Sequence, residues 1–212
     1  MSFRLAIFDL DGTLMDTSSG ILQAVRETIR VHSMPALPEE VLRSFIGPPI
    51  QWSFAARYGL DKEGAQKMAD TFRESYAVRH LLEAVPYPGI YDLLSTLGAR
   101  GVKPAIATYK REDYALRLLK HYHFDDYTDI IFGGDNEGIL KKRDIILKCI
   151  ESAGVKELKE VVMVGDTLHD SEGAREIGVD FIGVSYGFGF HGKDAEGVEN
   201  MANTPEEILS FI

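Results

Sequence analysis

The sequence contains a single cysteine and no long apolar run. One cysteine, Cys149, excludes an intrachain disulfide and is typical of a reducing compartment. Its apolar neighbours at helical spacing predict a core residue rather than a reactive thiol. No apolar run approaches the ~20 residues that cross a membrane, and an apolar segment that begins at Leu5 leaves no room for a signal peptide. We therefore expect a cytoplasmic protein with no membrane partner.

Basic residues are also scarce relative to acidic ones. The 212 residues include 33 Asp and Glu against 23 Lys and Arg, a formal net charge of -10. Nucleic acids and anionic membrane surfaces attract basic patches, so neither is expected as a partner. An anionic substrate would need a metal ion or local lysines to reverse the field at its site. The length suits one domain, or one domain with a small companion.

Short, continuously apolar runs alternate with helix-period segments over much of the chain. The predicted strands are Leu5–Phe8, Pro104–Ala107, Ile130–Phe132, Val161–Val164 and Phe181–Val184. The predicted helices between and after them are Ile90–Leu97, Glu112–Lys120, Arg143–Ala153 and Asp170–Glu176, with a last helix starting at Thr204–Glu207. Apolar runs of this kind are typical of parallel strands buried on both faces. The pattern predicts an α/β fold with a doubly wound parallel sheet.

One stretch, from about residue 18 to residue 79, has helical periodicity and no convincing strand. Four helices are predicted there, near 18–32, 38–46, 50–58 and 61–80. We therefore divide the chain into an α/β core of residues 1–15 and 86–212 and a small all-helical cap of residues 16–85. A helical insert directly after the first strand is typical of a lid over a site. The alternative is a plain helical subdomain with no role in substrate choice.

Two carboxylates two residues apart follow the first strand, in the segment Asp9-Leu10-Asp11-Gly12-Thr13. Alternate side chains along a strand point the same way, so Asp9 and Asp11 face one direction. Their repulsion must be offset, and Mg²⁺ offsets it well because it prefers oxygen ligands. Gly12 lets the backbone approach a ligand closely. The alternative is an ordinary turn capped by an acid.

Further polar residues follow the other strands. Thr108 and Tyr109 follow the second, and Asp166 and Asp170 follow the fourth, while Lys141 and Lys142 precede a helix. Ligands of open parallel sheets lie beyond the carboxyl ends of the strands, so these groups would meet on one rim. Each is weak alone, because helix caps and solvated turns use the same residue types.

These segments in this order resemble the haloacid dehalogenase superfamily, and its phosphoglycolate-phosphatase-like branch in particular. The resemblance covers essentially the whole chain, including the cap loop from Phe45 to Ile50 and the segment Gly165–Gly178. It implies a Rossmann-like core with a helical cap. It also implies phosphatase chemistry on a small phosphorylated metabolite, in a monomer or a homodimer.

The resemblance assigns the following roles. Asp9 would be the nucleophile that forms an aspartyl-phosphate, and Asp11 the general acid and then base. Mg²⁺ would be held by Asp9, the backbone carbonyl of Asp11 and Asp166, with Asp170 orienting the site. The phosphate-binding residues would be Gly12, Thr108, Tyr109 and Lys142. We prefer Lys142 over Lys141 because the spacing to the following helix fits the branch better.

Several features leave alternatives open. Tyr109 stands where the family often has Asn or Ser, so it could reshape the leaving-group side of the pocket. The cap lacks the pattern of the related β-phosphoglucomutases, although a phosphotransferase or a pyrophosphatase remains an alternative. A dehalogenase would lack the second acid of the first motif. Two alternatives belong to other functional classes, namely a phospho-acceptor receiver domain and a non-catalytic binding module. His169, His191 and the loop Gly187–Gly189 are assigned to turns and surface.

Overall fold

The computed structural model describes residues 3–190 and 195–212, so the predicted surface position of His191 lies outside the described residues. Eight strands are present in this part of the chain. They are β1 Leu5–Phe8, β2 Met15–Asp16, β3 Val85–Pro86, β4 Lys103–Arg111, β5 Ile131–Gly134, β6 Val161–Gly165, β7 Asp180–Val184 and β8 Met201–Ala202. Six of them form one parallel sheet in the order β5-β4-β1-β6-β7-β8, and β2 pairs antiparallel with β3.

The predicted doubly wound parallel sheet is confirmed. The chain builds the sheet outward from β1 through β4 and β5, then returns to the other side of β1 with β6. Every residue of β1 and β6 is buried, as expected for strands covered on both faces. The strand order reverses at β1 and β6, which places a crevice beyond their carboxyl ends.

The helices are α1 Ser18–Val31, α2 Glu39–Arg43, α3 Ile50–Tyr58, α4 Lys62–Ser75, α5 Ile90–Ala99, α6 Glu112–His121, α7 Lys142–Ala153 and α8 Leu168–Ile177. The predicted second helix is shorter than expected because the chain turns from Ser44 toward Pro49, the residue before α3. The predicted fourth helix changes at Tyr76 into a π-helical turn that ends at His80. The predicted last helix is a short 3₁₀ turn, Glu206–Ser210.

For most core elements the difference from the prediction is small and lies at an end of the element. Helix α8 begins at Leu168 rather than Asp170, because Thr167 and Asp170 form a reciprocal capping box at its start. Strand β4 is longer than predicted and continues to Arg111, with a shift of register toward β5 after Ala107. Strands β2, β3 and β8 have two residues each, which is too short for a periodic pattern to reveal.

Helices α1 to α4 lie between β2 and β3. The chain leaves the sheet region through β2 and returns through β3, and these two strands pair with each other. This pair falls at the predicted border between core and cap, and the division itself stays a prediction. Within the insert, the rings of Phe45 and Phe54 pack edge to face with centroids 5.0 Å apart. The insert thereby has apolar packing of its own.

Helix α7 covers one face of the parallel sheet. Cys149 is fully buried there beside Ile145 and Ile146, so its predicted place in the core is confirmed. Burial raises the pKa of its thiol to about 12, which keeps the thiol protonated and unreactive. No helix within residues 3–190 and 195–212 has the length and hydropathy of a membrane span.

Candidate active site

Three carboxylates meet at the carboxyl ends of β1 and β6. Asp9 directly follows β1, Asp166 directly follows β6, and Asp170 lies in the first turn of α8. One oxygen from each lies within 4.8 Å of the others, and all three residues are buried. The sequence prediction that these acids share one rim is therefore borne out in position, because parallel strands end at the same edge of the sheet.

Lys142 enters this cluster from the start of α7. Its Nζ lies 2.5 Å from Asp9 Oδ1 and 2.7 Å from Asp170 Oδ1, and the side chain is 4% exposed. The neighbouring Lys141 is exposed. The structure thus places Lys142, and not Lys141, beside the predicted nucleophile.

The cluster has more negative than positive charge. Burial raises the pKa of Asp9 to about 7, with Lys142 acting in the opposite direction and Asp170 and Asp11 adding repulsion. Burial also raises the pKa of Asp166 well above its usual value, and repulsion from Asp9 and Asp170 adds to it. Three buried carboxylates with one ammonium group need a further cation if all are to ionise.

The donor set fits a magnesium ion. Asp9, Asp166 and Asp170 offer only oxygen atoms, which are the ligands that Mg²⁺ prefers. Asp170 Oδ1 has no hydrogen-bond partner of good geometry among the described residues, although Lys142 Nζ lies near it. Asp11 is predicted to bind the ion through its backbone carbonyl, and its side chain points away from the cluster to Lys110 and Thr17.

Asp11 faces the cap instead. Its Oδ1 lies 2.9 Å from Lys110 Nζ and accepts a hydrogen bond of 2.6 Å from the Thr17 hydroxyl. Lys110 also donates to the hydroxyl of Tyr76, on the π-helical turn of the cap, over 2.9 Å. Burial alone would lower the pKa of Lys110, but the nearby Asp11 and Tyr76 raise it above its ordinary value. Lys110 is thus a charged link between the predicted general acid and the cap.

Thr108 and Tyr109 lie in β4 beside these groups. The Thr108 hydroxyl is buried and accepts a hydrogen bond of 3.1 Å from the Lys110 backbone N–H. The Tyr109 hydroxyl accepts one of 2.9 Å from the backbone N–H of Lys142, so it anchors the start of α7. Its ring packs edge to face against His169 of α8 and Trp52 of the cap, with centroids 5.5 and 5.9 Å away. Tyr109 therefore fixes the wall of the site, and its predicted contact with phosphate stays a prediction.

Two expectations about loops were wrong. His169 was assigned to a turn at the surface, but it lies half-buried in the first turn of α8. The loop Gly187–Gly189 was assigned to the surface, but its Phe188 N–H donates to Asp166 Oδ2 over 2.7 Å. A Cβ at Gly187 would collide with Asp166 and with the carbonyl oxygen of Gly12. The loop supports the carboxylate cluster because glycine lets its backbone come this close.

The backbone at Gly12 lies close to Asp166, and its predicted approach to a ligand stays a prediction. The φ of Gly12 is +96°, and a Cβ there would collide with Asp166 Oδ2. Next to it, the Thr13 hydroxyl donates to Asp166 Oδ1 over 3.2 Å. The loop after β1 thus packs closely against Asp166 at the end of β6.

A cavity between cap and core adjoins Asp11. It is lined on the cap side by Gln51 of α3 and by Phe72, Arg73 and Tyr76, and on the core side by Tyr109, Lys110 and Arg111. Gln51, Arg73 and Lys110 are each at most 9% exposed. A polar wall this well buried is typical of a binding pocket.

Sequence reasoning missed Lys110, Gln51 and Arg73. Lys110 had a signal, because it lies two residues after Thr108 in an extended segment and so shares its face. Arg73 also had one, since it lies next to Phe72 and near Met68 and Tyr76 on the apolar side of a helix, where a charge is unusual. Gln51 had no signal, because its position depends on how α3 packs on the core.

Comparison with known proteins agrees with this geometry. The sequence profile of the family described as haloacid dehalogenase-like hydrolase matches residues 6–184. A 5'-nucleotidase from Pseudomonas aeruginosa is 35% identical over 184 residues, 86% of this chain and 83% of that protein. A phosphoglycolate phosphatase from Caulobacter vibrioides is 30% identical over 186 residues, 85% of this chain and 78% of that protein. Relatives named pyrophosphatase and tyrosine-protein kinase are 32% and 33% identical.

Solved structures give the same result. The crystal structure of a predicted phosphatase from Clostridium acetobutylicum matches with a TM-score of 0.93 and 31% identity, over 100% of this chain and 98% of that one. Fold, order of the site residues and sequence similarity therefore agree. The chain belongs to the haloacid dehalogenase-like hydrolases, and it is a phosphatase of that family.

Proposed function

We propose that this protein is a Mg²⁺-dependent phosphatase that hydrolyses a small phosphomonoester through an aspartyl-phosphate at Asp9. The observation that carries the proposal is the separation of two acids at one strand end. Asp9 points into the carboxylate cluster beside Lys142, whereas Asp11 points to Lys110 and Thr17. Two acids in different surroundings suit two different roles.

Asp9 is the nucleophile in this proposal. One carboxylate oxygen of Asp9 attacks phosphorus, and the bond from phosphorus to the leaving oxygen breaks. Lys142 holds Asp9 in place and, together with Thr108, binds oxygens of the transferring phosphoryl group. Backbone N–H groups of the loop around Gly12 contribute further donors.

Asp11 is the general acid and then the general base in this proposal. It gives a proton to the leaving oxygen in the first step, and takes one from the attacking water in the second. That water then forms a bond to phosphorus while the bond from phosphorus to Asp9 breaks. Thr17 and Lys110 fix the Asp11 carboxyl through contacts of 2.6 and 2.9 Å, which keeps it aimed at one position.

The metal site completes the arrangement. Asp9 and Asp166, with Asp170 behind them and the backbone carbonyl of Asp11, would hold Mg²⁺. When bound, the ion supplies charge neutralisation for the carboxylates and for the phosphoryl group. The role of Phe188 and Thr13 is to orient Asp166 through their two hydrogen bonds.

The substrate is proposed to be small. Relatives of similar identity are named for nucleotides, phosphoglycolate and pyrophosphate, so similarity alone does not choose among them. Phosphoglycolate is the first choice, because the chain resembles the phosphoglycolate-phosphatase-like branch and the cavity beside Asp11 is small, about 70 Å³.

Borohydride trapping tests the mechanism. The protein is mixed with p-nitrophenyl phosphate and Mg²⁺, and borohydride is added during turnover to reduce any acyl phosphate to an alcohol. We expect a modified peptide that contains residue 9, and none when EDTA replaces Mg²⁺. Turnover with no modification, or with modification at another residue, would contradict the assignment of Asp9. Absence of turnover on any phosphate ester would favour a non-catalytic binding module.

A further inference from the structure

The cavity next to Asp11 is lined by cationic side chains although the protein is strongly acidic. Its charged lining residues are Lys110, Arg73, Arg111, Asp11 and Asp135. The Asp135 carboxylate accepts hydrogen bonds from backbone N–H groups of its own loop, at Ile139 and Leu140. Asp11 is paired with Lys110 over 2.9 Å, and Arg111 is paired with Asp113 over 2.6 Å. Arg73 is thus the lining cation least neutralised by an acidic partner, in a chain with a net charge of -10.

Arg73 supplies a positive group on the cap side. It is 7% exposed, and its guanidinium donates to Gln51 Oε1 and to Asn136 Oδ1, each over 3.1 Å. Among residues 3–190 and 195–212 its acidic contact is Asp70 at 3.3 Å, whose side chain is 55% exposed and therefore well screened. A guanidinium buried among neutral oxygens retains the capacity to bind an anion, because it has five donors in a fixed plane.

Gln51 supplies an unused donor in the same wall. The residue is 6% exposed, and its Nε2 has no hydrogen-bond partner in residues 3–190 and 195–212. A buried amide nitrogen without a partner destabilises the folded protein, because its lost hydrogen bond to water is not replaced. A ligand oxygen in the cavity would replace that bond. Gln51 Oε1 is held by Arg73, so the amide is fixed with its nitrogen on the other side.

We propose that Arg73, Gln51 and Lys110 bind a second negatively charged group on the substrate, carried by a short leaving group. The inference rests on the proposed phosphatase function, because Asp11 is taken as the acid that protonates this leaving group. The three residues lie on both sides of the cavity, Gln51 and Arg73 on the cap and Lys110 on the core. A leaving group bound there therefore joins cap and core over Asp11.

The charged group is a carboxylate or a phosphoryl group. Both present oxygens to a guanidinium and an amide nitrogen, and both fit the small space beside Asp11. Three probes separate these possibilities from an uncharged leaving group. They are 2-phosphoglycolate for the carboxylate, pyrophosphate for the phosphoryl group and ethyl phosphate for the uncharged one.

The test compares kcat/KM for the three probes in four proteins: wild type, Arg73→Met, Gln51→Glu and Arg79→Met. Gln51→Glu keeps the size of the side chain but adds an anion that pairs with Arg73. Arg79→Met is the matched control, because Arg79 is on the same helical segment, with its side chain 57% exposed and away from the cavity. Melting temperatures show that each variant is folded, and Gln51→Glu still tests the proposal if Arg73→Met does not fold.

We expect wild type to prefer one charged probe over ethyl phosphate by at least tenfold. Arg73→Met and Gln51→Glu should each lower that preference at least fivefold, mainly through KM, and Arg79→Met should leave it unchanged. Preference for 2-phosphoglycolate identifies a carboxylate, and preference for pyrophosphate identifies a phosphoryl group. The proposal would be overturned if wild type had the same kcat/KM for ethyl phosphate as for the charged probes. It would also be overturned if the preference for a charged probe were unchanged in both Arg73→Met and Gln51→Glu. In either case the phosphatase function stands.

A second measurement separates the two proposals. If no ester is hydrolysed at all, the phosphatase function fails. Binding of glycolate and of inorganic phosphate, measured by calorimetry in wild type and in Gln51→Glu, then decides the anion site. Binding of either anion that is at least fivefold weaker in the variant supports the site, and binding of both that is equal or absent overturns it.

Discussion

Asp9 and Asp11 are only two residues apart, yet their surroundings differ in every contact. Asp9 is held by a lysine from α7 and faces two further carboxylates, whereas Asp11 is held by Thr17 and by a lysine from β4. The pKa of Asp9 is raised to about 7 chiefly by burial. In the proposed mechanism, a metal ion in the cluster would help to keep this carboxylate ionised as the nucleophile.

Substitution of the two acids should separate their roles. Asp9→Asn should abolish hydrolysis of p-nitrophenyl phosphate, because an amide does not form the acyl phosphate. Asp11→Asn should lower kcat by about 10²–10⁴, the usual contribution of a general acid. Steady-state kinetics and circular dichroism measure activity and fold. Retained turnover in a folded Asp9→Asn protein would remove Asp9 as the nucleophile.

The two adjacent lysines offer a matched pair. Lys142→Met removes the ammonium 2.5 Å from Asp9 and should lower kcat by about 10²–10³, as for loss of one preorganised donor. Lys141→Met changes an exposed neighbour and should alter kcat less than about threefold. The choice between these lysines, made from the spacing to the following helix, would be contradicted if Lys141→Met had the larger effect.

At the scale of elements, the loop after β7 supports the acid at the end of β6. Gly187→Ala places a methyl group against Asp166 and Gly12, and overpacking of this kind costs about 1–3 kcal/mol. We expect a lower melting temperature and an increased apparent Kd for Mg²⁺, so that half-maximal activity requires a higher Mg²⁺ concentration than in wild type. Activity titrated with Mg²⁺ provides the measurement.

Gly98→Ala is the control for that change. Gly98 is in helix α5, and a Cβ there meets nothing within 4 Å. Alanine in a helix should leave stability unchanged or raise it by up to about 1 kcal/mol. An equal loss of stability in the two variants would show that Gly187 has no special role.

Contacts between the helices of the cap include a charged cluster on the outside. Glu27 of α1 is paired with Arg79 at 2.6 Å and bonded to the Ser75 hydroxyl, and these bonds lower its pKa to about 2. A lowered carboxyl pKa contributes stability above the unfolded value of 4.5, and this contribution is lost as the pH falls toward 2. The pair is partly exposed, so the contribution is about 1 kcal/mol or less.

Glu27→Gln should therefore lower the free energy of unfolding at pH 7 by up to about 1 kcal/mol. The difference from wild type should shrink as the pH falls from 4.5 toward 2, since the unfolded Glu27 takes up a proton in this range while the folded Glu27 keeps its charge until about pH 2. Urea unfolding at pH 7 and pH 3 measures it, with Glu74→Gln as an exposed control on α4. A difference that is the same at both pH values would contradict the electrostatic origin.

At the scale of the whole molecule, the acidic net charge and the anionic substrate are compatible because charge is distributed unevenly. Lysines, an arginine and the proposed metal ion are concentrated at the carboxyl edge of the sheet and under the cap. A metal ion bound there joins the ends of β1 and β6, which are separated by more than 150 residues of chain. Metal binding should consequently stabilise the folded protein as a whole.

Removal of the metal tests this. At a Mg²⁺ concentration of 100 times Kd, linkage gives about 2.7 kcal/mol of added stability. We expect the melting temperature to rise with Mg²⁺ in wild type and to return to its starting value with EDTA. Asp166→Asn should lose most of this shift, and the exposed Asp180→Asn should keep it. An undiminished shift in Asp166→Asn would place the ion elsewhere.

The sequence by itself determined the sheet, because β1 and β6 are buried on both faces and consist of continuous apolar runs. It also determined that acids follow these two strands, and so which of them would meet at one edge. Only the tertiary structure decided which residues line the cap side of the cavity and which loop supports Asp166. Gln51 and Arg73 reach the cavity through the packing of α3 and α4 on the core, and Phe188 reaches Asp166 through a glycine loop. Local periodicity contains no information on these contacts, because they join elements that are far apart in the chain.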